Sequence, residues 1–143
     1  MKFNKKIKSL LFFILTVLCF ENAFALCMDG RHPTVQEELI SSDYVFIGRI
    51  EKSKDIASAD DPTGIDRIEY DVRVEKLFKG RATKIIKIIS ENTSSRFVMV
   101  PNETYLLFVV GSKKNGLVDS CGNSGESTLR SPEILTLKSL SKK

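Results

Sequence analysis

The sequence predicts an all-β domain: a small antiparallel barrel of about five strands, with a short helix at each end. Three observations lead to this class. Within a strand predicted over 67–78, residues 67–75 alternate strictly between apolar and charged side chains, and residues 105–110 are apolar on both faces. Further apolar runs recur at similar spacing with no helix-length segment between them. Closure into a barrel is the natural arrangement, because it removes exposed sheet edges.

The first 25 residues predict export from the cytoplasm. Four lysines precede an apolar run over residues 10–20, and Ala23-Phe24-Ala25 supplies the small residues that signal peptidase recognises. A run of about eleven residues is too short to span a bilayer, which takes about 20. We therefore predict a cleavable signal peptide over 1–25 and an exported protein, periplasmic or secreted. A short amino-terminal membrane anchor is the alternative.

Removal of the signal peptide leaves a nearly neutral chain. Of the 22 basic and 18 acidic side chains, residues 1–25 hold four lysines and one glutamate, so 18 basic and 17 acidic ones remain. Such a balance, without a basic block, is unlike that of a nucleic-acid-binding protein. Residues 26–143 are long enough for one domain, with a core over about 27–125 and a short helix and tail over 126–143. We expect a monomer without stable membrane insertion.

Two cysteines remain after signal cleavage, Cys27 and Cys121. An oxidising compartment favours a disulfide between them. The bridge would close a loop of about 95 residues, for which the chain-entropy model gives roughly 4–5 kcal/mol of stabilisation. Two unpaired or intermolecularly paired thiols are the alternative.

The first elements of the domain are predicted from local signals. Thr34 and Glu37 have capping-box spacing and predict a helix over about 34–41. Residues 44–50 are rich in strand-forming side chains, and Gly48 in their middle indicates a bulge. Residues 53–66 form a polar segment with turn signals, so we predict a solvated hairpin loop. Its carboxylates suggest calcium but lack the regular spacing of calcium-binding loops. They are Asp55, Asp60, Asp61 and Asp66.

The remaining elements follow the same reasoning. Over 67–78, Ile68, Tyr70, Val72 and Val74 point to one side, and charged side chains point to the other. After a Lys79-Gly80 turn, we predict strands at 85–89, at 103–111 and before Cys121, and a brief pairing at 97–100. Ser131-Pro132 matches the N-cap and first position of a closing helix.

Side chains for enzyme chemistry are scarce. His32 is the only histidine, which leaves too few ligands for the usual zinc sites, and we expect it to be a plain surface residue. There is no Gly-x-Ser-x-Gly elbow, and residues 122–125 are too short for a phosphate-binding loop. Nothing in the sequence selects a catalytic pair of carboxylates. We predict a non-enzymatic protein with no cofactor and no metal.

Several segments, taken in order, resemble a known family. A cysteine follows the signal peptide, and Glu37-Glu38 lies in the first helix. Together with the four segments below, these features resemble the netrin-module or tissue-inhibitor-of-metalloproteinases (TIMP)-like superfamily, in its bacterial single-domain form, over about 27–125. The segments that carry the resemblance are Ser-Asp-Tyr-Val-Phe-Ile-Gly-Arg-Ile (42–50), Tyr-Asp-Val-Arg-Val-Glu-Lys-Leu-Phe-Lys-Gly (70–80), Val-Pro-Asn-Glu-Thr-Tyr-Leu-Leu-Phe (100–108) and Ser-Cys-Gly-Asn-Ser (120–124).

The resemblance implies an OB-fold barrel, a five-stranded architecture of small binding domains. It also implies a role for the amino-terminal segment. In the animal inhibitors, a first-residue cysteine chelates the catalytic zinc of a metalloprotease through its free amine and carbonyl. Carried over, this role would fall on Cys27, with Met28 and Asp29 entering the substrate cleft.

Two functional hypotheses follow, and both require a protein partner. The first is an exported binding module that presents barrel loops, among them residues 53–66, to a protein of the cell envelope or secreted space. The second is a metalloendopeptidase inhibitor acting through Cys27. Cleavage after Ala25 leaves Leu26 ahead of Cys27, so that the required amine is consumed in a peptide bond. We therefore favour the binding module, with a zinc metalloprotease as the partner that the alternative implies.

Overall fold

The computed structural model describes residues 32–61, 63–81, 83–93 and 96–141. The predicted signal peptide, Leu26, Cys27, Met28 and Asp29 lie outside the described residues, as does the end of the predicted tail. The described elements, in chain order, are α1 (Val35–Ser41), β1 (Tyr44–Ala57), β2 (Ile65–Lys79), β3 (Ile85–Glu91), β4 (Thr104–Ser112), β5 (Asn115–Leu117), β6 (Gly125–Glu126) and α2 (Ser131–Leu140).

Five of these strands close into a barrel in the order β1-β2-β3-β5-β4, and β4 pairs back onto β1. This confirms the predicted all-β, OB-fold-like class. The prediction of a purely antiparallel barrel is wrong in one pairing, since β3 and β5 run parallel through Ile88 and Gly116. An odd number of strands cannot alternate in direction around a closed circle, so one parallel pair is a geometric necessity.

The barrel interior holds the main hydrophobic core. Phe46, Val72, Ile86 and Leu107 are completely buried there, and Tyr70 is 1% exposed. The predicted alternation of β2 is confirmed, because Ile68 and Val74 pack against the same core. Burial of a large apolar side chain contributes roughly 1.5–3 kcal/mol, so these strand positions dominate the stability of the domain.

A second apolar cluster lies on the outer face of the barrel. Val45, Leu106 and Phe108 point away from the interior and are covered by Leu137 of α2, with Leu39 of α1 packed beside them. This explains why β4 is apolar on both faces, as its sequence predicted: one face lines the interior and the other carries the two helices. Neither helix in the described part of the chain is long and apolar enough to cross a membrane.

Gly48 marks an irregularity in β1, as predicted. The pairing with β2 shifts register between Ile47 and Gly48. A Cβ atom at this position would lie 2.7 Å from a methyl group of Val72 and 2.9 Å from the carbonyl oxygen of Arg73. Only glycine therefore lets the two strands approach this closely.

The structure corrects the predicted loop at 53–66. Residues 53–57 belong to β1, where they pair with residues 65–70 of β2, so the connection shrinks to residues 58–64. Lys52, Ser53, Lys54 and Asp55 carry no strand signal of their own. The cross-strand ladder with β2 outweighs their weak propensity.

Other local predictions differ in part. The capping box of α1 is confirmed, with both hydrogen bonds between Thr34 and Glu37 present. Ser131 was predicted as the N-cap of α2, but the N-cap is Arg130, which makes no side-chain capping bond. Residues 97–100 were predicted to pair briefly and instead lie outside any strand. Two of their backbone amides bond to tyrosine hydroxyls instead: Met99 donates to Tyr70, and Val100 donates to Tyr105.

Candidate functional site

The resemblance assigns the functional role to Cys27, Met28 and Asp29, and Cys121 is the predicted disulfide partner of Cys27. Of these four residues, the structure describes Cys121, which lies in the loop between β5 and β6. The backbone N–H of Cys121 donates to Oδ1 of Asp119 at 2.8 Å. Cys27, Met28 and Asp29 lie outside the described residues, so the disulfide and the carried-over roles stay predictions.

A buried carboxylate joins α1 to the Cys121 loop. Glu38 is 8% exposed, and its Oε2 accepts hydrogen bonds from the backbone N–H and the side-chain amide of Asn123, both at 2.6 Å. The other carboxylate oxygen packs against Gly122 and leaves no room for a Cβ atom there. These paired contacts let a charged group remain buried, because a buried carboxylate needs hydrogen-bond donors to offset its lost hydration.

The same loop is fastened on its other side. The hydroxyl of Ser124 accepts a hydrogen bond at 2.9 Å from the backbone N–H of Phe108 in β4. Directly after it, Gly125 and Glu126 pair with Leu106 and Tyr105. Cys121 thus sits in a loop that is held by α1 and by the barrel wall.

Asn123 also holds the start of the described chain. Its side-chain amide donates to the carbonyl oxygen of Pro33 at 3.0 Å. Cys27 precedes Pro33 by six residues, which can span up to about 20 Å, and Cys121 precedes Asn123 by two. A disulfide needs its two Cα atoms about 4.4–6.8 Å apart, a separation that these short connections allow.

A pocket of about 180 Å³ opens beside this loop. Its lining includes Arg96, Phe97, Asp119 and Ser120, together with residues from the end of β3. Arg96 is half-buried and forms no ion pair within the described ranges. The pocket therefore combines one guanidinium with hydroxyl, carboxylate and aromatic groups.

The β1–β2 hairpin is the second candidate region. β4 pairs with β1 only from Tyr44 to Arg49, and backbone hydrogen bonds with residues 102 and 103 extend this contact to Ile50. From residue 51 to residue 57, β1 has β2 on one side and no backbone partner on the other within the described residues. We call residues 51–66 the arm.

The turn of the arm is ordered by Asp61. Its Oδ1 accepts hydrogen bonds from the hydroxyl (2.8 Å) and the backbone N–H (3.0 Å) of Thr63. The hydroxyl bond is the larger cause that lowers the pKa of Asp61 below its ordinary value, since both bonds favour the ionised carboxylate. Asp66 is occupied by an ion pair with Arg67 at 2.9 Å. The described residues contain no cluster of three or more acidic, histidine or cysteine side chains that could hold a metal ion.

Sequence reasoning found some of these features and missed others. His32 is exposed, as predicted. Glu38 was noted only as part of a family motif, and its bond to Asn123 joins residues 85 apart in the chain. An isolated glutamate on an amphipathic helix gives no sign of such a partner, so this cluster could be found only from the structure.

Comparison with known proteins gives no assignment: neither a family model nor a curated protein matches the chain. The resemblance to the netrin-module and TIMP-like superfamily therefore remains a proposal. The candidate sites are identified from the geometry of the described residues alone.

Proposed function

We propose that the chain is an exported, non-enzymatic protein-binding module of the cell envelope or secreted space, with a TIMP-like, OB-fold-like barrel. One observation carries the proposal. The arm extends β1 beyond the neighbouring strand β4 and leaves one backbone edge of residues 51–57 open among the described residues. An open edge of this kind accepts an extended segment of another protein through main-chain hydrogen bonds.

The side chains of the arm favour selective binding over non-specific association. Lys52, Ser53, Lys54 and Asp55 are all exposed, and Ile56 is half-buried. Lysines on an open strand edge discourage indiscriminate pairing between copies, because bringing the edges together brings like charges together. A partner that places carboxylates beside Lys52 and Lys54 while its backbone pairs with the edge is therefore favoured, which gives the arm specificity.

The proposal includes export, with residues 1–25 removed and a Cys27–Cys121 disulfide formed afterwards. Intact mass and amino-terminal sequencing of the exported protein, before and after reduction and alkylation, test both points in one experiment. A chain that begins at Leu26 with one disulfide agrees with the proposal. A chain with two free thiols contradicts the disulfide, and one that retains residues 1–25 contradicts signal cleavage.

Photo-crosslinking tests the role of the arm. A photoreactive amino acid is placed at Ser53 or Ala57 of the exported chain, and a matched one at Ser139, an exposed position on α2. We expect the two arm positions to crosslink to the same protein and Ser139 not to do so. Equal crosslinking from Ser139, or none from the arm, contradicts the proposal.

A metalloendopeptidase inhibitor is the second candidate. The hydrogen bond from Asn123 to Pro33 favours it, since this bond holds the start of the described chain beside the Cys121 loop. Inhibition requires a free amine on Cys27, as zinc sites of this class keep one open coordination position. A form that starts at Cys27 should inhibit a metalloendopeptidase in proportion to its concentration, and a form that starts at Leu26 should not. Equal activity of the two forms contradicts this mechanism.

A further inference from the structure

Two pockets of opposite charge adjoin each other on the outer face of the barrel, next to the base of the arm. The larger one encloses about 490 Å³. Three carboxylates line it, from Glu75, Glu103 and Glu126, and the half-buried side chains of Ile47 and Ile134 supply apolar surface. None of these carboxylates forms a hydrogen bond or ion pair within the described part of the chain.

The smaller pocket encloses about 260 Å³, and its charged lining residues are Arg49, Arg73 and Glu51, which give it one net positive charge. Arg49 of β1 lies directly opposite Arg73 of β2, and Asn102 closes the pocket from the turn before β4. Arg73 is paired with Glu51, whereas Arg49 has no ion-pair partner within the described ranges. Like charges in directly opposed positions destabilise a sheet. Glu51 offsets this repulsion at Arg73, and the guanidinium of Arg49 is left to bind an external anion.

The register of the strands places these pockets side by side. Along β1, Ile47 lines the acidic pocket, and Arg49, two residues on, lines the basic one. Along β2, the same step leads from Glu75 to Arg73. Residues two apart in a strand share a face and lie about 6.6–6.8 Å apart. The two pockets are therefore separated by one such step.

A bound peptide in extended conformation has the same repeat. Its side chains at positions i and i+2 point to one side, again about 6.6–6.8 Å apart. We propose that the two pockets form one groove that binds an extended segment of the partner protein. A lysine or arginine of that segment enters the acidic pocket, and an aspartate or glutamate two residues away meets Arg49. This inference rests on the proposed function and names the class of segment that is recognised.

The chemistry of each pocket suits its proposed occupant. The aliphatic stem of a lysine packs on Ile47 and Ile134 while its ammonium group reaches the carboxylates. The carboxylate of the second residue accepts hydrogen bonds from the guanidinium of Arg49, a geometry that guanidinium groups favour. A segment with only one of the two charges satisfies half of the groove, so affinity depends on both charges and on their spacing.

An NMR titration of the full mature chain with capped peptides tests the spacing. The probe is the pentapeptide Thr-Lys-Thr-Glu-Thr, and the control is Thr-Lys-Glu-Thr-Thr, which has the same composition but directs its two charges to opposite sides. We expect amide shifts at residues 47–51, 73–75, 102–104 and 126–128, and an affinity at least threefold weaker for the control. Equal affinities, or shifts confined to other surfaces, overturn the inference.

Charge reversal tests the pockets one at a time. Arg49→Glu should weaken binding of the Lys-Thr-Glu probe at least fivefold. The variant should instead bind a Lys-Thr-Lys peptide about as tightly as the unchanged protein binds the Lys-Thr-Glu probe. The matched control is Lys113→Glu, the same charge change at an exposed turn position away from both pockets. If both variants weaken binding of the probe equally, the net charge of the protein alone attracts the peptide, and the proposed groove is wrong.

The outcomes separate this inference from the proposed function. If the probe fails to bind while the arm still crosslinks to a partner, the groove is wrong and the binding module stands. If the probe binds in the groove but the arm captures nothing, the groove stands as a peptide site and the arm is wrong as the partner-binding element.

Discussion

The two halves of β1 differ sharply although they form one continuous strand. From Val45 to Ile50, the strand is paired on both sides and mostly buried, with Phe46 and Ile50 completely enclosed. From Glu51 to Ala57, it is paired on one side within the described residues and is mostly exposed. The first half therefore carries stability, and the second half is free to carry specificity, because changes to exposed side chains seldom affect folding.

The largest expected effect is in the buried half. Phe46→Ala removes a completely buried ring and leaves a cavity in the barrel core. We expect a loss of about 3–5 kcal/mol in the free energy of unfolding, measured by urea denaturation. Ser53→Ala in the exposed half is the matched variant and should change this free energy by no more than about 0.5 kcal/mol. Similar losses for both variants would erase the distinction between the halves.

A smaller effect is expected at the bulge. Gly48→Ala places a Cβ atom 2.8 Å from the ring of Phe46 and 2.9 Å from the carbonyl oxygen of Arg73. The carbonyl oxygen belongs to the neighbouring strand, so relief requires the two strands to move apart. We expect a loss of about 1–3 kcal/mol on urea denaturation. Ala57→Gly, at the exposed end of β1, is the control and should cost less, about 0.5–1 kcal/mol. A neutral Gly48→Ala variant would show that the strands can separate freely here.

The contrast between the halves also explains which parts of the fold the sequence could predict. Barrel strands with alternating or continuous apolar residues, such as 67–78 and 105–110, were found because burial imposes their pattern. Residues 53–57 were assigned to a loop, since their strand conformation comes from pairing with β2. The two-residue strand β6 was missed for the same reason: its partners Tyr105 and Leu106 are distant in the chain.

The candidate sites were less accessible from the sequence than the fold. The bond between Glu38 and Asn123 and the opposition of Arg49 and Arg73 both depend on tertiary register. A single glutamate or arginine on a predicted element does not indicate which residue lies across from it. The sequence did locate Cys121 and the polar turn, because each has a local signal: a cysteine, or a cluster of turn-forming residues.

Hydrogen exchange should resolve the halves at the level of single amides. Buried amides of the barrel, such as those of Phe46 and Gly48, should exchange only through global unfolding. The slowest amides of residues 52–57 should exchange at least tenfold faster, because half of the backbone groups there face solvent and the arm can open by itself. NMR-detected exchange at pH 7 measures both sets together. Equal protection of the two halves would mean that the arm unfolds only with the barrel.

The smallest expected effect lies at the tip of the arm, in the titration of Asp61. Because hydrogen bonds from Thr63 lower the pKa of Asp61, the ionised carboxylate stabilises the folded turn. This contribution is fully present above 3.8, the ordinary pKa of the Asp61 carboxyl, and is lost as the pH falls through the lower folded value. Thr63→Val removes the hydroxyl donor and keeps the backbone N–H, so the pKa of Asp61 should rise part of the way towards 3.8, the ordinary value. NMR titration of the Asp61 side chain measures the change, and Thr63→Ser, which retains the hydroxyl, should leave the pKa depressed. An unchanged value in the Val variant would assign the depression to the backbone bond, and the order of the turn would then not depend on the hydroxyl of Thr63.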